Sequence, residues 1–372
     1  MTTHKTRIAI VGAGLSGLYA AHRLAGLGMT DFVVLEARAR IGGRIEPFQP
    51  QGMNPAQAPD PLTSLDLGPT WFWPDHQAQL DQLVASLGLQ RFAQHEAGDM
   101  VIERGPHTPL WRGPGYASAP TSMRLVGGMN ALVQALRASV PHERVITGMS
   151  VQRLQADESG VKLHCEAESG HVVTWRVEQV LLAVPPRLAI ERIDFSPALP
   201  AALARQWQAT ATWMAPHAKY LAVYDTPFWR EQGLSGEARS THGPMGEIHD
   251  ASIPGGHAAL FGFLGVPAQA RRSVGDAALR AACRAQLVRL FGPQAAHPMN
   301  EMIKDWAQDP HTATESDLDA IGHHPPTPVN RVGSGPWADR LTGIASEWSP
   351  QFPGYVAGAI EAAELGLAGF RG

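Results

Sequence analysis

Residues 7–17 have the sequence Arg-Ile-Ala-Ile-Val-Gly-Ala-Gly-Leu-Ser-Gly. The four apolar residues Ile8–Val11 predict a short buried strand, and Gly12, Gly14 and Gly17 follow it with the spacing Gly-x-Gly-x-x-Gly. The first glycine permits a tight turn, the second lets the backbone approach a pyrophosphate, and the third lets helix and strand pack closely. The stretch therefore predicts the strand, the turn and the helix start of a dinucleotide-binding unit.

A helix and a second strand complete this unit. Apolar residues from Leu15 onward recur at helical spacing, Gly28 is placed to end the helix, and residues 32–35 predict the second strand. Glu36 follows that strand, 19 residues after Gly17, where a carboxylate accepts hydrogen bonds from an adenosine ribose. The unpaired N–H groups at the helix N-terminus favour phosphate. Together these features predict an α/β fold with a Rossmann-type domain.

The remaining sequence predicts further strands and helices, without an internal repeat. A loop is expected over residues 47–62 because it is rich in proline. Further segments are expected as helices at 76–89, after Gly128, at 275–291 and from Gly354 to about Phe370, and as strands at 145–184, 218–224 and 258–266.

Composition excludes several classes of protein. The 372-residue chain is long enough for two domains, and its net charge of -4 gives no basis for nucleic-acid binding. Cys165 and Cys283 lie far apart, so neither a disulfide framework nor a metal site is expected, and a reducing, cytoplasmic compartment is the default. No apolar run is long enough for a membrane span, and the glycine spacing near the N-terminus argues against a signal peptide.

Five blocks follow one another along the chain. They are the Gly12–Gly17 turn, Glu36 with Gly42-Gly43-Arg44, Asp66-Leu67-Gly68, Lys219 before Thr226-Pro-Phe-Trp229, and Glu347 through Tyr355. In this order they resemble the flavin-dependent amine oxidase family, which includes monoamine and polyamine oxidases. The resemblance extends over most of the chain and implies two interleaved domains. It assigns residues 1–66, 124–186 and 335–372 to an FAD-binding domain, and residues 67–123 and 187–334 to an α+β substrate domain.

The resemblance implies FAD as the cofactor. In the family, the Gly-Gly-Arg block holds FAD phosphates, and Arg38 lies near enough to assist Arg44; the alternative for Arg44 is a surface salt bridge. Glu36 disfavours a ribose 2′-phosphate because two anions would meet. The implied cofactor site comprises Gly12, Gly14, Ser16, Gly17, Glu36, Arg38, Gly43, Arg44, Gly68, Pro69, Thr70, Val151, Trp306, Glu347, Tyr355 and Val356.

The last block resembles the family's Phe-Ala-Gly-Thr-Glu segment, which a Tyr follows eight residues after the Glu. Glu347 and Tyr355 keep this spacing, whereas Ala345 replaces the family's glycine. Covalent members carry a Cys before an aromatic residue upstream, and the corresponding stretch here, residues 309–312, is Asp-Pro-His-Thr. The resemblance therefore implies non-covalent FAD, with His311 in place of the aromatic residue that faces the Tyr across the flavin.

Lys219 is the expected catalytic residue, together with Tyr355. The chain has four lysines against 26 arginines, and the same-face strand neighbours of Lys219 are Leu221 and Val223. Its amino group should therefore point into an apolar region, where desolvation lowers the pKa of a lysine. In the family, a Lys here holds a water near the flavin and assists the reaction with oxygen. The alternative is a Lys that extends to solvent.

Trp71, Trp73 and His311 are the expected substrate-binding residues. Trp71 aligns with a family aromatic residue that lines the substrate cavity, and Trp73 extends that wall. Amino-acid oxidases of the superfamily place an Arg near this block, and residues 66–73 contain none, which favours an amine as the substrate. Trp306 could pack against the flavin or lie in the core.

The resemblance implies oxidation of an amine C–N bond to an imine, which water hydrolyses, with O2 as the acceptor and hydrogen peroxide as a product. An FAD-dependent desaturase of the phytoene or protoporphyrinogen type is one alternative. An FAD-binding protein that has lost catalysis is another. The sequence leaves the particular amine and the oligomeric state open.

Overall fold

A computed structural model describes residues 3–50, 63–318 and 326–368 of the chain. Most of the loop predicted over residues 47–62, and the predicted helix end near Phe370, lie outside these residues. Within them, no helix is both long enough and apolar enough to cross a membrane.

The described residues form 21 strands. In chain order, β1 to β7 are Thr3–Lys5, Ile8–Val11, Phe32–Leu35, Pro47–Phe48, Leu65–Asp66, Arg91–Ala93 and Asp99–Glu103. Strands β8 to β14 are Trp111–Pro114, Met123–Leu125, Val145–Ile146, Met149–Asp157, Gly160–Ala167, Val172–Val177 and Gln179–Leu182. Strands β15 to β21 are Asp194–Ser196, Ala218–Tyr224, Leu234–Ser240, Met245–Asp250, Ala258–Leu264, Asn300–Asp305 and Leu341–Gly343.

Nine α-helices lie between these strands in the described part of the chain. Helices α1 to α9 are Leu15–Gly26, Ala78–Ser86, Met129–Ala138, Pro186–Arg192, Ala201–Ala209, Phe228–Glu231, Ala268–Val274, Asp276–Phe291 and Val356–Leu367. The predicted helices at 76–89, after Gly128, at 275–291 and from Gly354 are thus present.

A parallel sheet of order β10-β3-β2-β14-β21 forms the first layer. Alternate side chains of β2 enter two different cores: Ile8 and Ile10 pack against helices α1, α3 and α9, whereas Ala9 and Val11 pack against a second sheet. A parallel sheet with both faces covered is typical of doubly wound α/β folds, as the sequence predicted.

The turn between β2 and α1 depends on two glycines. Gly12 has φ +104°, and a Cβ there would lie 2.9 Å from the Ala183 carbonyl oxygen. A Cβ on Gly17 would lie 2.0 Å from the Gly12 carbonyl oxygen, so any side chain at residue 17 would push the helix away from the turn. The tight packing predicted from the glycine spacing is therefore present.

A second sheet, of order β1-β13-β12-β11-β15, covers the other face. Its last strand, Asp194–Ser196, pairs with β11 in parallel and so belongs to the dinucleotide-binding side. The sequence-based division ended the middle segment of this domain, 124–186, at residue 186. The sheet pairing favours a boundary after β15, because β15 shares backbone hydrogen bonds with β11.

A third sheet, of order β20-β16-β19-β18-β17-β7-β8, forms the other half of the molecule. Strand β16 lies inside it and is buried along its whole length. Tyr220 and Ala222 face a core that includes helix α8, whereas Leu221 and Val223 face a smaller core with Leu67. Lys219 lies on the same face of the strand as Leu221 and is buried, as the alternation predicted.

A buried ion pair ties the two halves together. Arg187 at the start of α4 donates to Asp317, which is fully buried, at 2.6 Å. The same carboxylate accepts from the Thr212 N–H at 3.0 Å and from the backbone and hydroxyl of Thr314. Breaking a buried pair leaves an uncompensated charge.

We expect Asp317→Ala to lower the free energy of unfolding by about 3–5 kcal/mol, because Arg187 would stay buried without its partner. Urea unfolding followed by tryptophan fluorescence measures the change. The control is Asp194→Ala, which removes the exposed pair with Arg153 and should cost about 0–1 kcal/mol. Equal losses in the two variants would contradict a special role for Asp317.

Candidate active site

A cavity of about 400 Å³ opens between the parallel sheet and the third sheet. The carboxyl ends of β2 and β3, the turn after β14 and the start of β16 all contribute to its wall. Ligands of open α/β sheets bind at this edge. The cavity therefore lies where the sequence predicted the cofactor.

Glu36 forms one end of the cavity and is 3% exposed. Its carboxylate accepts from the Ala13 N–H at 2.7 Å and from the Arg38 N–H at 2.9 Å. The two backbone bonds hold the carboxylate beside the N-terminus of α1. Each carboxylate oxygen retains further acceptor capacity for a ribose hydroxyl.

Arg44 extends across the middle of the cavity. Its guanidinium donates to both oxygens of Glu347, at 2.6 and 3.0 Å, and to the Ser346 hydroxyl at 3.1 Å. The Arg44 side chain remains 26% exposed, whereas Glu347 is buried behind it. A bidentate carboxylate fixes the plane of the guanidinium, so Glu347 positions Arg44.

His311 lines the same cavity as Tyr355, and its place opposite that ring stays a prediction. Burial lowers the pKa of His311, and the charges that act on it are Arg38, Asp309, Glu36 and Arg192. The Arg38 side chain holds the loop that carries His311, because it donates to the Asp309 carboxylate at 2.6 Å and to the Thr312 hydroxyl at 3.0 Å.

Lys219 is 2% exposed, which rules out extension to solvent. Its amino group donates to the Asp66 carbonyl at 3.0 Å, the Gly68 carbonyl at 2.8 Å and the Thr70 hydroxyl at 2.8 Å. The Phe261 ring centroid lies 4.2 Å from Nζ. The protonated amine thus has an acceptor for each of its three N–H groups. Its catalytic role stays a prediction.

A cluster of buried charges surrounds this amine. Burial lowers the pKa of Lys219; the Asp66 carboxylate opposes this effect and the Arg124 guanidinium adds to it. Burial also raises the pKa of Asp66, whose carboxylate accepts from the Met129 N–H at 2.8 Å. Arg124 donates to the carbonyls of Ala251 and Ser252, at 2.9 Å each. Backbone groups therefore satisfy much of this cluster.

Four aromatic side chains form the other end of the cavity. The rings of Trp213 and Tyr355 have centroids 6.4 Å apart and planes inclined by 31°, and Trp73 meets Tyr355 edge-on at 6.3 Å. Trp71 packs against Phe261 at 5.4 Å. The indole N–H groups of Trp71 and Trp73 donate to Gln94 at 2.8 Å and Ser122 at 2.9 Å, which fixes both rings.

Most of the predicted site residues meet at this one cavity. Gly17 and Glu347 are not among its lining residues. Gly17 allows the close packing of the turn that borders the cavity, and Glu347 holds the guanidinium of Arg44. The predicted residues that line the cavity are Gly12, Gly14, Ser16, Glu36, Arg38, Gly43, Arg44, Gly68, Pro69, Thr70, Trp71, Trp73, Val151, Lys219, Trp306, His311, Tyr355 and Val356.

Sequence reasoning missed the segment that precedes β16. Trp213, Met214 and His217 all line the cavity. The Trp213 ring is closer to parallel with the Tyr355 ring than the Trp73 ring is. The signal available in the sequence was the position of this segment, a few residues before Lys219. No periodic pattern marks it, because it forms a turn.

Comparison with known proteins places these observations in a family. A family model described as flavin containing amine oxidoreductase matches residues 104–365, and one described as NAD(P)-binding Rossmann-like domain matches residues 10–87. A probable flavin-containing monoamine oxidase A of Dictyostelium discoideum is 28% identical over 67% of this chain. The chain spans only about half, 52%, of that relative.

Two further comparisons cover nearly the whole chain. The putrescine oxidase of Kocuria rosea is 25% identical over 97% of this chain and 95% of its own length. The structure of cyclohexylamine oxidase from Brevibacterium oxydans superposes with a TM-score of 0.78 at 21% identity, over 98% of both chains. The predicted fold is confirmed. Because the first family model matches more than half of the residues, this chain belongs to the flavin-containing amine oxidoreductases, the family that the sequence predicted.

Proposed function

We propose that this protein oxidises the C–N bond of an amine to an imine, with non-covalently bound FAD as the cofactor and O2 as the acceptor. The observation that carries the proposal is the single cavity, with a dinucleotide-binding turn at one end and an aromatic chamber at the other. The kinship with a putrescine oxidase and the shared fold of a cyclohexylamine oxidase support an amine as the substrate.

The cavity wall fits an FAD molecule. Helix α1 has neither a side-chain cap nor an acidic residue in its first turn, so its N–H groups suit a pyrophosphate. Gly43 has a φ of +57°, and a Cβ there would lie 3.3 Å from the Gly14 Cα, so residue 43 favours glycine. Glu36 would hold the ribose, and Arg44 the phosphates. When bound, FAD supplies the two-electron oxidation of the amine and passes the electrons to O2.

Non-covalent attachment is supported by the positions of the cysteines. Residues 309–312 contain no Cys, and Cys165 and Cys283 are buried as free thiols and do not line the cavity. Burial raises the pKa of each thiol to about 12, which keeps both thiols protonated and unreactive. Free thiols also support the proposed cytoplasmic location.

The aromatic chamber would exclude water and orient the amine. An ammonium group pays a desolvation penalty of several kcal/mol in such surroundings, so we propose that the neutral amine binds. Its nitrogen lone pair then needs no side-chain base. Tyr355 and Trp213 would hold the amine between them, and an apolar substituent would pack on Trp73 and Trp71.

Lys219 would act in two ways. Its three hydrogen bonds hold residues 66–70 against the cavity, and this segment leads directly into Trp71. Its positive charge beside the cavity would also stabilise negative charge that develops on reduced oxygen. We propose the second effect as its contribution to the reaction with O2.

We expect acid precipitation of the purified protein to release intact FAD into the supernatant, because no cysteine lies at the cavity. Absorbance and mass spectrometry of the two fractions measure the release. Flavin that stays on the denatured chain would overturn non-covalent binding.

We expect primary or secondary amines with an apolar substituent, such as benzylamine or cyclohexylamine, to reduce the flavin under anaerobic conditions, faster than the diamine putrescine does. A second ammonium would have to lose water among the aromatic rings. Tyr355→Ala should slow this reduction about 10-fold or more, because the ring positions the amine. The flavin absorbance in a stopped-flow instrument measures both effects.

The control for Tyr355→Ala is Tyr116→Ala, since Tyr116 is 66% exposed and lies outside the cavity. A broad amine panel that leaves the flavin oxidised, although dithionite reduces it, would favour a desaturase or a protein without catalysis. Reduction by amines at an unchanged rate in Tyr355→Ala would keep the enzyme class and remove Tyr355 from the catalytic residues.

We expect Lys219→Met to slow reoxidation of the reduced protein by O2 about 10-fold or more and to lower its melting temperature. The charge is lost, and three acceptors lose their donor, at a cost of about 1–3 kcal/mol for each group left unsatisfied. The matched control, Lys162→Met, changes a lysine on strand β12 outside the cavity. If only the melting temperature falls, Lys219 is a structural residue.

A further inference from the structure

The turn that leads into strand β16 carries a histidine at the cavity. Residues 212–217 form this turn, and Met214 holds a backbone φ of 62°, which is uncommon for a residue with a side chain. Trp213, Met214 and His217 all line the cavity. A non-glycine residue in this conformation persists only where the surroundings determine it, and such positions cluster at functional sites.

The backbone of His217 is held at both of its polar groups. Its N–H donates to the Met214 carbonyl at 3.1 Å, and its carbonyl accepts from the Trp306 N–H at 3.1 Å. Trp306 in turn donates its indole N–H to the Leu67 carbonyl at 3.2 Å. The histidine is therefore fixed between the turn and the segment that Lys219 also holds.

The two ring nitrogens of His217 differ. Nδ1 is shielded from solvent and has no hydrogen-bond partner among the described residues. Nε2 is not shielded in this way, and the ring lines the cavity. A proton on Nδ1 would be a buried donor without an acceptor, whereas a proton on Nε2 can reach a bound molecule.

Burial lowers the pKa of His217, and the nearby Arg271 guanidinium lowers it further, against a smaller opposing effect of the Met214 backbone carbonyl near the ring. The lowered pKa favours the neutral ring. Arg271 is itself held by Asp305 at 2.6 Å and by the Pro216 carbonyl at 2.8 Å, so its charge stays close to the ring. A neutral ring carries one proton, and Nε2 is the nitrogen from which that proton can reach a bound molecule.

We propose that His217 donates a hydrogen bond from Nε2 to the bound flavin cofactor, an inference that rests on the proposed binding of FAD. The position of the turn supports the cofactor as the acceptor. The carbonyl of Trp213 accepts from Arg44 at 3.4 Å, so the turn lies beside the residue expected at the phosphates. FAD carries carbonyl, ring-nitrogen and ribityl oxygen acceptors along its length.

The test compares Gln, Asn and Phe at residue 217. The amide nitrogen of Gln is placed near Nε2 of a histidine, whereas that of Asn is placed near Nδ1. We expect His217→Phe to release FAD from the holoenzyme about threefold to tenfold faster, the range for one neutral hydrogen bond. His217→Gln should restore most of the binding, and His217→Asn should not. FAD fluorescence after dilution gives the rate, and the near-ultraviolet flavin band gives an independent signature.

His164→Phe is the matched control. The Nε2 atom of His164 is also buried without a partner, but His164 lies on strand β12, away from the cavity, so FAD release should not change. Equal release rates and equal spectra for wild type and His217→Phe would overturn the proposal. Rescue by Asn in place of Gln would also overturn it, because it would place the donor at Nδ1.

The test separates this inference from the proposed function. FAD release and the flavin spectrum are measured without any amine, so they report on His217 even if no amine reduces the flavin. A wild-type protein that does not bind FAD would overturn both proposals. If the wild-type protein binds FAD but His217→Phe changes neither the FAD release rate nor the flavin spectrum, only the inference about His217 is overturned.

Discussion

The buried amino group of Lys219 is the interaction on which the arrangement of the site depends. A lysine from the third sheet reaches across the cavity wall and bonds two carbonyls and a hydroxyl between Asp66 and Thr70. That segment follows strand β5, which is remote from β16 in the chain. One side chain therefore ties strand β16 to a segment of the cavity wall that is distant in the chain. A buried ammonium is tolerated only because every N–H has an acceptor.

Two further charged side chains, Asp66 and Arg124, are buried near the amino group of Lys219. The Asp66 carboxylate caps the start of α3 through the Met129 N–H, and a Cβ on Gly128 would lie 2.6 Å from its Oδ1. Arg124 stands nearby and bonds to backbone carbonyls at the end of β18. The cluster is costly to bury, and Arg124 Nε has no hydrogen-bond partner among the described residues, so the cluster specifies how the sheets meet more than it adds to stability.

The two ends of the cavity are built by different physical means. The dinucleotide end uses backbone: glycines without side chains, helix N–H groups, and the Glu36 carboxylate fixed by two N–H bonds. The amine end uses side chains, with indole rings of Trp71 and Trp73 locked by hydrogen bonds at their outer edges. A backbone site suits a shared cofactor, whereas side chains can vary with the substrate.

The sequence alone determined the dinucleotide-binding end of the cavity and the burial of Lys219. Glycine spacing, strand length and the position of Glu36 are local features, and they predicted the turn, the parallel sheet and the family. The alternation around Lys219 also predicted its burial, because side chains of a strand alternate between faces. These inferences hold because each depends on residues close together in the chain.

Only the tertiary structure decided which distant side chains share a wall. Lys219 meets the carbonyls of residues 66 and 68, and Tyr355 faces Trp213, across more than a hundred residues of chain. The loop of His311 is likewise held by a residue far away in the chain, because Arg38 donates to Asp309 and Thr312. His217 and Trp213 lie on a turn without periodicity, so no pattern marks them. Such contacts depend on how sheets pack, and packing is a property of the whole fold.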